Sequence, residues 1–318
     1  MTELDKLSAF VAQQIEAINF PKEPVNLYDP LRYFMTLGGK RMRPILTLMS
    51  AELFGVKHEE SIHAALAVEL FHNFSLIHDD IMDNAPVRRG KTTVHEKWNN
   101  NCAILSGDVL FVEAYKQLGY YKDQRLALLF DRFNTTAQEV CEGQQLDMDF
   151  ETRNTVSKAE YIEMIRLKTS VLLGCALEFG AILGQQSPEV CQHIYSFGVD
   201  LGLAFQIQDD LLDLYADPEK FGKQVGGDIL TNKKTLLLIT ALATHDSRVL
   251  AMMQAKPDQA KIETAKSLFL ELGIVSKMEE EIAAYYEKAM NELAQLNLSK
   301  EQLAPLYSLA EYLIQREH

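Results

Sequence analysis

Residues 75–90 read SLIHDDIMDNAPVRRG, a stretch of sixteen residues that contains three aspartates and two adjacent arginines. Asp79 and Asp83 are one helical turn apart, so in a helix both carboxylates leave the same face, with Asp80 beside them. Carboxylates at this spacing repel one another unless a cation lies between them. The stretch therefore indicates either a divalent-metal site that holds phosphate or a solvated acidic end of a helix.

A second copy of this acidic spacing lies far along the chain, in FQIQDDLLD at residues 205–213. Apolar neighbours flank the aspartates of both copies, as in helices that pack against a core. Carboxylates on such helices are rarely buried without a partner. Two such helices that face each other across a cavity would hold Mg²⁺, which is typically shared between carboxylates and substrate phosphates. The candidate metal ligands are Asp79, Asp80, Asp83, Asp209, Asp210 and Asp213.

The composition indicates a soluble globular protein, with 47% hydrophobic and 24% charged residues. The formal net charge of −14 argues against nonspecific binding of nucleic acid, and no nucleic-acid partner is expected. An anionic substrate would therefore need local cations. Two clusters can supply them, one with Lys40, Arg41 and Arg43, the other with Arg88 and Arg89.

The cysteine pattern and the hydropathy predict a cytoplasmic protein. The four cysteines are widely spaced and form no CxxC pair, which is typical of reduced core residues; they are Cys102, Cys141, Cys175 and Cys191. No apolar run is long enough for a signal peptide, and none reaches the ~18 residues of a membrane span. We therefore expect no transmembrane segment.

Apolar residues recur at helical spacing along the chain, without strand-like alternation or a fixed-period repeat. This pattern predicts an all-α fold, with helices that include residues 59–83, 158–184 and 198–215. A length of 318 residues exceeds the usual single domain, but helical folds around a large cavity reach it as one unit. We expect a single all-helical domain over residues 1–318.

The stretch GGKRMRP at residues 38–44 is a candidate anion site. Its two glycines end a short helix and allow a phosphate to approach closely, and Pro44 fits the first turn of the next helix. Lys40 and Arg43 then lie near a helix N-terminus, where the backbone N–H groups and the dipole favour an anion. A solvated basic turn is the alternative.

Several polar residues interrupt apolar helical segments. His72 is seven residues before Asp79, two turns along the same face, which places it near the phosphate site. Lys168 lies beside Thr169 in an apolar helix and needs an anionic partner. Gln144 either hydrogen-bonds a substrate-bound network or belongs to a polar helix end.

The loop at residues 221–235, FGKQVGGDILTNKKT, is rich in glycine and lysine. It is too polar to belong to the core and is long enough to act as a lid. Lys223, Lys233 and Lys234 are therefore predicted to close over phosphate.

From about Leu31 to Thr235, these motifs together resemble the trans-isoprenyl diphosphate synthase (polyprenyl synthetase) family. The resemblance rests on the order and spacing of GGKRMRP, DDIMD followed by RRG, GQ at residues 143–144, KT at residues 168–169, FQIQDDLLD and the lysine loop. It implies the isoprenoid-synthase helical bundle around a central apolar cavity, a homodimer, and three Mg²⁺ per active site on the aspartates of both motifs.

The resemblance also implies roles for single residues. The allylic diphosphate would be contacted by Arg88, Lys168, Gln206, Lys223 and Lys233. Isopentenyl diphosphate would be held by Lys40, Arg43, His72 and Arg89. Thr169 and Gln206 would steady the allylic cation with their oxygen dipoles. The activity implied is Mg²⁺-dependent, head-to-tail condensation of isopentenyl diphosphate with an allylic diphosphate.

Product length in this family depends on the bulk upstream of the first aspartate motif. Phe74 is five residues before Asp79, Ser75 is four before it, and Phe71 is one turn deeper. An aromatic residue at the fifth position and a small residue at the fourth resemble geranylgeranyl synthases, so a twenty-carbon product is favoured and farnesyl diphosphate stays open. Alternatively, both phenylalanines are core packing, and another helix or the dimer partner forms the floor.

Other functions agree less well with the motifs. A terpene cyclase or squalene-synthase-like enzyme would not need GGKRMRP, and its second motif usually departs from DDxxD. A noncatalytic subunit of a heteromeric prenyl synthase typically loses the aspartates that are intact here. An acidic helical calcium binder would not explain the cation clusters.

Overall fold

The computed structural model describes residues 3–216 and 225–314. In that part of the chain the strands are limited to one antiparallel pair, and the rest of the regular structure is helical, so the all-α prediction is confirmed. Of the helices described there, none combines the length and apolar character needed to cross a membrane. The elements in chain order are α1 (Glu3–Glu16), α2 (Val25–Thr36), α3 (Met42–Leu53), α4 (His58–Met82), β1 (Val87–Arg88), β2 (Lys91–Thr92), α5 (Val94–Lys97), α6 (Asn100–Leu118), α7 (Arg125–Thr152), α8 (Lys158–Ile165), a π-helical turn (Arg166–Ser170), α9 (Val171–Leu183), α10 (Pro188–Tyr215), α11 (Gly227–Thr231), α12 (Leu236–Leu242), α13 (Ser247–Gln254), α14 (Gln259–Glu271), α15 (Ile274–Ala294) and α16 (Lys300–Ile314).

The chain forms two compact units, and unit 1 contains the chain up to Ala137 together with Cys175–Cys191. Helix α4 packs against both α3 and α6 in this unit. Residues 64–71 of α4 are buried without a break, as expected for a helix that is apolar on all sides. Glu59 and Glu60 in its first turn complement the positive end of the helix dipole. Other helices of unit 1 therefore enclose α4, which carries the first aspartate motif.

Unit 2 contains Gln138–Gly174 together with the chain from Gln192 onward. Helix α8 begins with a capping box, in which Ser157 Oγ accepts from the Glu160 N–H at 3.3 Å and Glu160 Oε2 accepts from the Ser157 N–H at 2.8 Å. The core of this unit includes Tyr161 from α8, Ile207 from α10 and Phe269 from α14. The second aspartate motif therefore lies on a core helix, as predicted.

Two predicted helices differ from the structure. Helix α10 begins at Pro188, ten residues before the predicted start. Gln144, for which a polar helix end was one of two interpretations, lies inside α7, which continues to Thr152. The predicted helix at residues 158–184 is interrupted by the π-helical turn, which contains one extra residue per turn. In each case helix packing overrides the local sequence signal.

The four cysteines form no disulfide, in agreement with the prediction. Cys175 and Cys191 are buried and Cys102 is partly buried. Cys141 is exposed, so its placement in the core was wrong. Cys141 faces solvent on α7, whereas its neighbours Val140 and Gly143 are buried.

Candidate active site

The first aspartate motif lies at the C-terminal end of α4, where Asp83 is the capping residue. Asp79 is partly exposed, Asp83 is exposed, and Asp80 points inward with only 1% of its side chain exposed. This division follows from helix geometry, because residues i and i+4 share a face and residue i+1 is rotated away from it. The motif therefore presents two carboxylates to solvent and buries the third.

Arg88 neutralises part of this charge. Its Nε donates to Asp80 Oδ1 at 2.7 Å, and its Nη2 lies 3.4 Å from Asp79 Oδ2. Burial raises the pKa of the Asp80 carboxyl, while the charge and hydrogen bond of Arg88 oppose the shift. The other oxygen of this carboxyl, Asp80 Oδ2, is buried without a hydrogen-bond partner.

A tight hairpin orients the two arginines. Arg89 and Gly90 connect β1 to β2 with φ angles of 52° and 72°, the positive values that a two-residue hairpin turn needs. Arg88 then reaches the aspartates, and Arg89 Nη1 donates to the Gly38 carbonyl. A Cβ on Gly39 would lie 2.8 Å from the guanidinium carbon of Arg89, so glycine at this position gives Arg89 its space.

Arg43 and His72, both predicted to bind isopentenyl diphosphate, contact each other. Arg43 Nη1 lies 3.2 Å from His72 Nε2, and since a guanidinium can only donate, the imidazole accepts and is neutral. Burial, and then the charges of Arg43 and Arg89, hold the pKa of His72 well below its ordinary value. Burial also lowers the pKa of Arg43 to about 10, which leaves it charged at neutral pH. Lys40 is exposed at the start of the same segment.

Arg41, counted among the anion-binding cations, has a different environment. It is buried in the left-handed conformation, its Nη1 forms an ion pair with Glu69, and its Nη2 donates to the Met35 carbonyl at 3.0 Å. Glu69 Oε1 also accepts from Asn73 Nδ2 at 2.9 Å. Arg41 therefore anchors α3 to α4. A glutamate inside an apolar helix was the signal that could have revealed this partner.

In unit 2, Asp147 forms ion pairs with two of the lysines predicted to bind the allylic diphosphate. Its Oδ2 lies 2.5 Å from Lys168 Nζ and 3.8 Å from Lys233 Nζ. Although burial opposes the effect, Lys233 and Lys168 hold the pKa of Asp147 below its ordinary value. Asp147 is thus the anionic partner that Lys168 was expected to need.

The π-helical turn positions Lys168 and Thr169. Helix α7 approaches it so closely at Gly143 that a Cβ would meet the backbone of Lys168. Gly202 on α10 makes a similar approach, with an added Cβ 2.9 Å from Ser170 Cα. Two glycines therefore allow neighbouring helices to press against the turn that carries both functional residues.

The second aspartate motif on α10 repeats the arrangement of the first. Asp209 and Asp213 are partly exposed, whereas Asp210 is buried. Tyr161 donates to Asp210 Oδ2, and Gln206 Nε2 donates to Asp210 Oδ1 at 3.1 Å. Burial raises the pKa of Asp210 to about 7, and these two hydrogen bonds oppose the shift. Tyr161 was not among the predicted site residues, because a single tyrosine in a helix has no motif around it.

Three further hydrogen bonds belong to the site in unit 2. Thr169 Oγ1 donates to Gln206 Oε1 at 3.3 Å. Asp213 Oδ2 accepts from the Asp228 N–H at 3.1 Å, which ties the motif to the start of α11. Lys233 follows this short helix, and Lys234 Nζ donates to the Glu151 carbonyl at 3.3 Å. Lys223 lies outside the described residues.

Both motifs fit Mg²⁺. Within residues 3–216 and 225–314, no three Asp, Glu, His or Cys side chains form a ready-made metal cage. Mg²⁺ does not need one, because it is usually bound by one or two carboxylates together with waters and substrate phosphates. The accessible first and last aspartates of each motif can serve in this way, and in the first motif the buried Asp80 Oδ2 has no hydrogen-bond partner.

The residues predicted to set product length lie in an aromatic cluster of unit 1. The Phe74 ring stacks on Phe111 of α6, with centroids 4.9 Å apart and an angle of 10° between planes. Phe71 is completely buried and contacts Phe74, Phe111 and Phe133. Phe71 is therefore a core residue, while Phe74 and Ser75 are only partly buried.

Comparisons with known proteins agree with these motifs. A family model described as polyprenyl synthetase matches residues 24–272. The chain is 37% identical to the geranylgeranyl diphosphate synthase of Methanosarcina mazei, covering 99% of this chain and 98% of the relative. It is 34% identical to the geranylfarnesyl diphosphate synthase of Natronomonas pharaonis, covering 100% of both chains.

Solved structures of prenyl synthases also match this chain. A crystal structure of a geranylgeranyl pyrophosphate synthase aligns with a TM-score of 0.95 and 43% identity, covering 100% of both chains. These matches span most or all of the sequence and include both aspartate motifs. The chain therefore belongs to the polyprenyl synthetase family of prenyltransferases.

Proposed function

We propose that this enzyme condenses isopentenyl diphosphate head to tail with an allylic diphosphate and releases geranylgeranyl diphosphate. The observation that carries the proposal is the arrangement at each aspartate motif. In each, the first and last carboxylates are accessible, while the second is buried and held by a side chain from another element, Arg88 for Asp80 and Tyr161 for Asp210. With the second carboxylate held in this way, the first and last carboxylates of each motif are placed to bind Mg²⁺.

The allylic diphosphate and its metals are assigned to both motifs. Three Mg²⁺ would be held by Asp79, Asp83, Asp209 and Asp213, with Asp80 and Asp210 supporting them from buried positions. When bound, Mg²⁺ supplies the positive charge that stabilises the leaving diphosphate. The same diphosphate is assigned to the cations Arg88, Lys168, Lys223 and Lys233.

Isopentenyl diphosphate is assigned to the cations at the start of α3 and to the hairpin. Arg43 and His72 are in contact, and Arg89 is held at Gly38 beside them. His72, as a neutral imidazole, can donate one hydrogen bond from Nδ1 without adding charge. Lys40 is exposed and completes the group.

The reaction then needs few protein groups. The allylic C–O bond breaks, the double bond of isopentenyl diphosphate forms the new C–C bond, and the released diphosphate takes the proton lost from the adjacent carbon. Thr169 and Gln206 turn oxygen atoms towards the allylic cation. Apolar side chains such as Phe74 exclude water, which would otherwise capture that cation.

A twenty-carbon product is supported by the aromatic stack below the first motif. The Phe74 ring, backed by Phe111, would stop a growing chain that extends along α4. The names of the two curated relatives differ in product, geranylgeranyl for one and geranylfarnesyl for the other. Local bulk at Phe74 is therefore a better guide to product length than overall identity.

We also propose that the enzyme is a homodimer. Ile104, Leu105 and Val112 lie on one face of α6 with exposed side chains, and Leu128 on α7 is exposed as well. Monomers rarely leave a large contiguous apolar face in water. In a twofold dimer one self-complementary face covers both copies, so a second copy of this chain is the occupant that we propose.

The deciding experiment is an assay of the purified chain alone, with Mg²⁺, isopentenyl diphosphate and dimethylallyl, geranyl or farnesyl diphosphate. Chromatography of the dephosphorylated products should show a twenty-carbon alcohol. Cyclic hydrocarbons would indicate a cyclase, and activity only after addition of a second protein would indicate a noncatalytic subunit.

Two variants show whether the metal assignment is correct. Asp79→Ala or Asp209→Ala should retain helical circular dichroism but lose kcat by orders of magnitude, since each removes a metal ligand. Asp131→Ala, at an exposed position on α7, is the control and should retain activity. Near-native kcat in either ligand variant would contradict the assignment.

A further inference from the structure

A chain of four hydrogen-bonded side chains runs through unit 2, and we call it the Tyr161 chain. Tyr161 Oη donates to Asp210 Oδ2, Gln206 Nε2 donates to Asp210 Oδ1 at 3.1 Å, and Thr169 Oγ1 donates to Gln206 Oε1 at 3.3 Å. The four residues come from α8, the π-helical turn and α10. Its buried end is Tyr161, with 2% of the residue exposed.

The direction of every hydrogen bond in the Tyr161 chain follows from the two bonds that Asp210 accepts. Asp210 accepts through both oxygens, from the Tyr161 hydroxyl at Oδ2 and from Gln206 Nε2 at Oδ1, so the Gln206 amide turns its nitrogen towards Asp210. Its carbonyl oxygen then faces Thr169, and the Thr169 hydroxyl proton is used in the bond to that oxygen. The lone pairs of Thr169 Oγ1 are left for a cation, which is the polarity that an allylic cation needs.

We propose that Tyr161 is a positioning residue that sets the polarity of Thr169 through Asp210 and Gln206. This inference rests on the proposed function, in which Thr169 and Gln206 steady the allylic cation. Tyr161 touches no reacting atom. It occupies one oxygen of Asp210, so that Gln206 is bound by the other oxygen in a single orientation.

Loss of the Tyr161 hydroxyl would leave the Gln206 amide without a fixed orientation. Asp210 is buried, and without Tyr161 its Oδ2 would lose its donor at a place that water cannot easily reach. The carboxyl group would then turn to bring Oδ2 towards another donor, and Gln206 Nε2, bound to Oδ1, would move with it. Gln206 Oε1 would leave Thr169 Oγ1, and the Thr169 hydroxyl would be free to turn its proton towards the allylic cation.

The test compares two tyrosines whose hydroxyl groups are hydrogen-bonded and buried. Tyr161→Phe removes one, and Tyr121→Phe removes a hydroxyl in unit 1 that donates to the Glu60 carbonyl at 2.9 Å. We expect Tyr161→Phe to lower kcat about tenfold, the effect of one lost hydrogen bond in the transition state. Both KM values should stay within about twofold, since neither substrate loses a contact. Tyr121→Phe should lower the melting temperature similarly and leave kcat unchanged.

A double-mutant cycle separates positioning from general loosening. If Tyr161 acts through Thr169, Tyr161→Phe should lower kcat little further once Thr169→Val has removed the hydroxyl, whereas Tyr121→Phe and Thr169→Val should combine additively. Gln206→Leu breaks the same chain of hydrogen bonds and should lower kcat by a similar factor to Tyr161→Phe. This variant can replace Tyr161→Phe if that variant folds poorly. Additive effects of Tyr161→Phe and Thr169→Val, or native kcat in Tyr161→Phe, would overturn the proposal.

A binding measurement separates this role from a metal role. Calorimetric titration with inorganic diphosphate and Mg²⁺ should give the same affinity for Tyr161→Phe and the unmodified enzyme. Affinity weakened about tenfold would mean that Tyr161 acts on the metals and would overturn the proposal. If the unmodified enzyme forms no condensation product, the proposed function itself fails, which is distinguishable from a Tyr161→Phe variant as active as its parent.

Discussion

Arg43 shows how one residue can be assigned to one substrate. Its guanidinium contacts His72 at 3.2 Å and remains charged despite burial. The group therefore offers a charge-assisted hydrogen bond to a diphosphate at a place where water competes weakly.

We expect Arg43→Ala to raise KM for isopentenyl diphosphate, with a loss of about 1.5–3 kcal/mol for one charge-assisted contact. KM for the allylic substrate should change little. Arg32→Ala is the matched control, because Arg32 forms an ion pair with Asp29 on α2 in the same unit. Steady-state kinetics with each substrate varied in turn would measure both KM values. Equal shifts in the two values would contradict the assignment of Arg43 to isopentenyl diphosphate alone.

Asp200 is a titrating residue that the proposed reaction does not use. Burial raises the pKa of its carboxyl to about 6, Lys288 opposes the shift, and Glu292, which His193 contacts at 2.7 Å, adds to it. An unfolded aspartate has a pKa of about 3.9. The folded state therefore binds more protons between these values, and the free energy of unfolding falls as the pH rises through them.

We predict that Asp200→Asn raises the free energy of unfolding by about 1 kcal/mol at pH 8, after allowance for solvent screening of a half-buried group. At pH 4, below the folded pKa, the variant and the parent should be alike. Urea denaturation at both pH values measures the difference, with Asp131→Asn as the exposed control. The same change at both pH values would rule out ionisation of Asp200 as its cause.

At the scale of elements, α4 and α6 together determine what lies below the first motif. The Phe74 ring is stacked between helices, with Phe111 parallel to it and Phe71 tilted against it at 5.4 Å. Because Phe71 is completely enclosed, its truncation would cost about 3–5 kcal/mol of stability. Phe111 is therefore the better partner for a double variant than Phe71.

We expect Phe74→Ala to lengthen the product by one isoprene unit, and Phe74→Ala with Phe111→Ala to lengthen it further. Removal of Phe74 exposes the face of Phe111, so the second ring becomes the next obstacle. Phe130→Ala, in a ring that packs edge-on against Tyr115 at 5.9 Å, is the control. Chromatography of dephosphorylated products measures the length, and an unchanged product from the double variant would place the floor elsewhere.

At the scale of the whole molecule, the apolar face of α6 is the feature that bears on assembly. Leu105 and Val112 are 57% and 53% exposed, two turns apart on the same helix face. Leu270 on α14 is similarly exposed, at 66%, and serves as a comparison in unit 2.

We predict that Leu105→Glu with Val112→Glu converts a dimer into monomers, because facing carboxylates would repel across a twofold axis. Leu270→Glu should leave the dimer intact. Size-exclusion chromatography with light scattering gives the mass of each. A double variant that remains dimeric, or a monomeric parent, would contradict the proposed interface.

Some features were predictable because they depend on short stretches of chain. The helical period places Asp79 with Asp83, and Asp209 with Asp213, whatever surrounds them. Glycine at position 39 follows similarly from a backbone requirement, whereas the hairpin turn at Arg89 and Gly90 was not predicted. Boundaries were less predictable, and the π-helical turn lies where Gly143 and Gly202 let neighbouring helices approach it closely.

The sequence by itself determined the all-α fold, the family and the accessible pair of aspartates in each motif, because helical periodicity acts over four residues. The tertiary structure alone decided which partner each buried charge has. Arg41 and Arg43 are two residues apart, yet one pairs with Glu69 and the other contacts His72. Asp210 and Tyr161 are 49 residues apart and meet only because α8 packs against α10. Hydrogen bonds across such separations depend on helix packing, which no local pattern encodes.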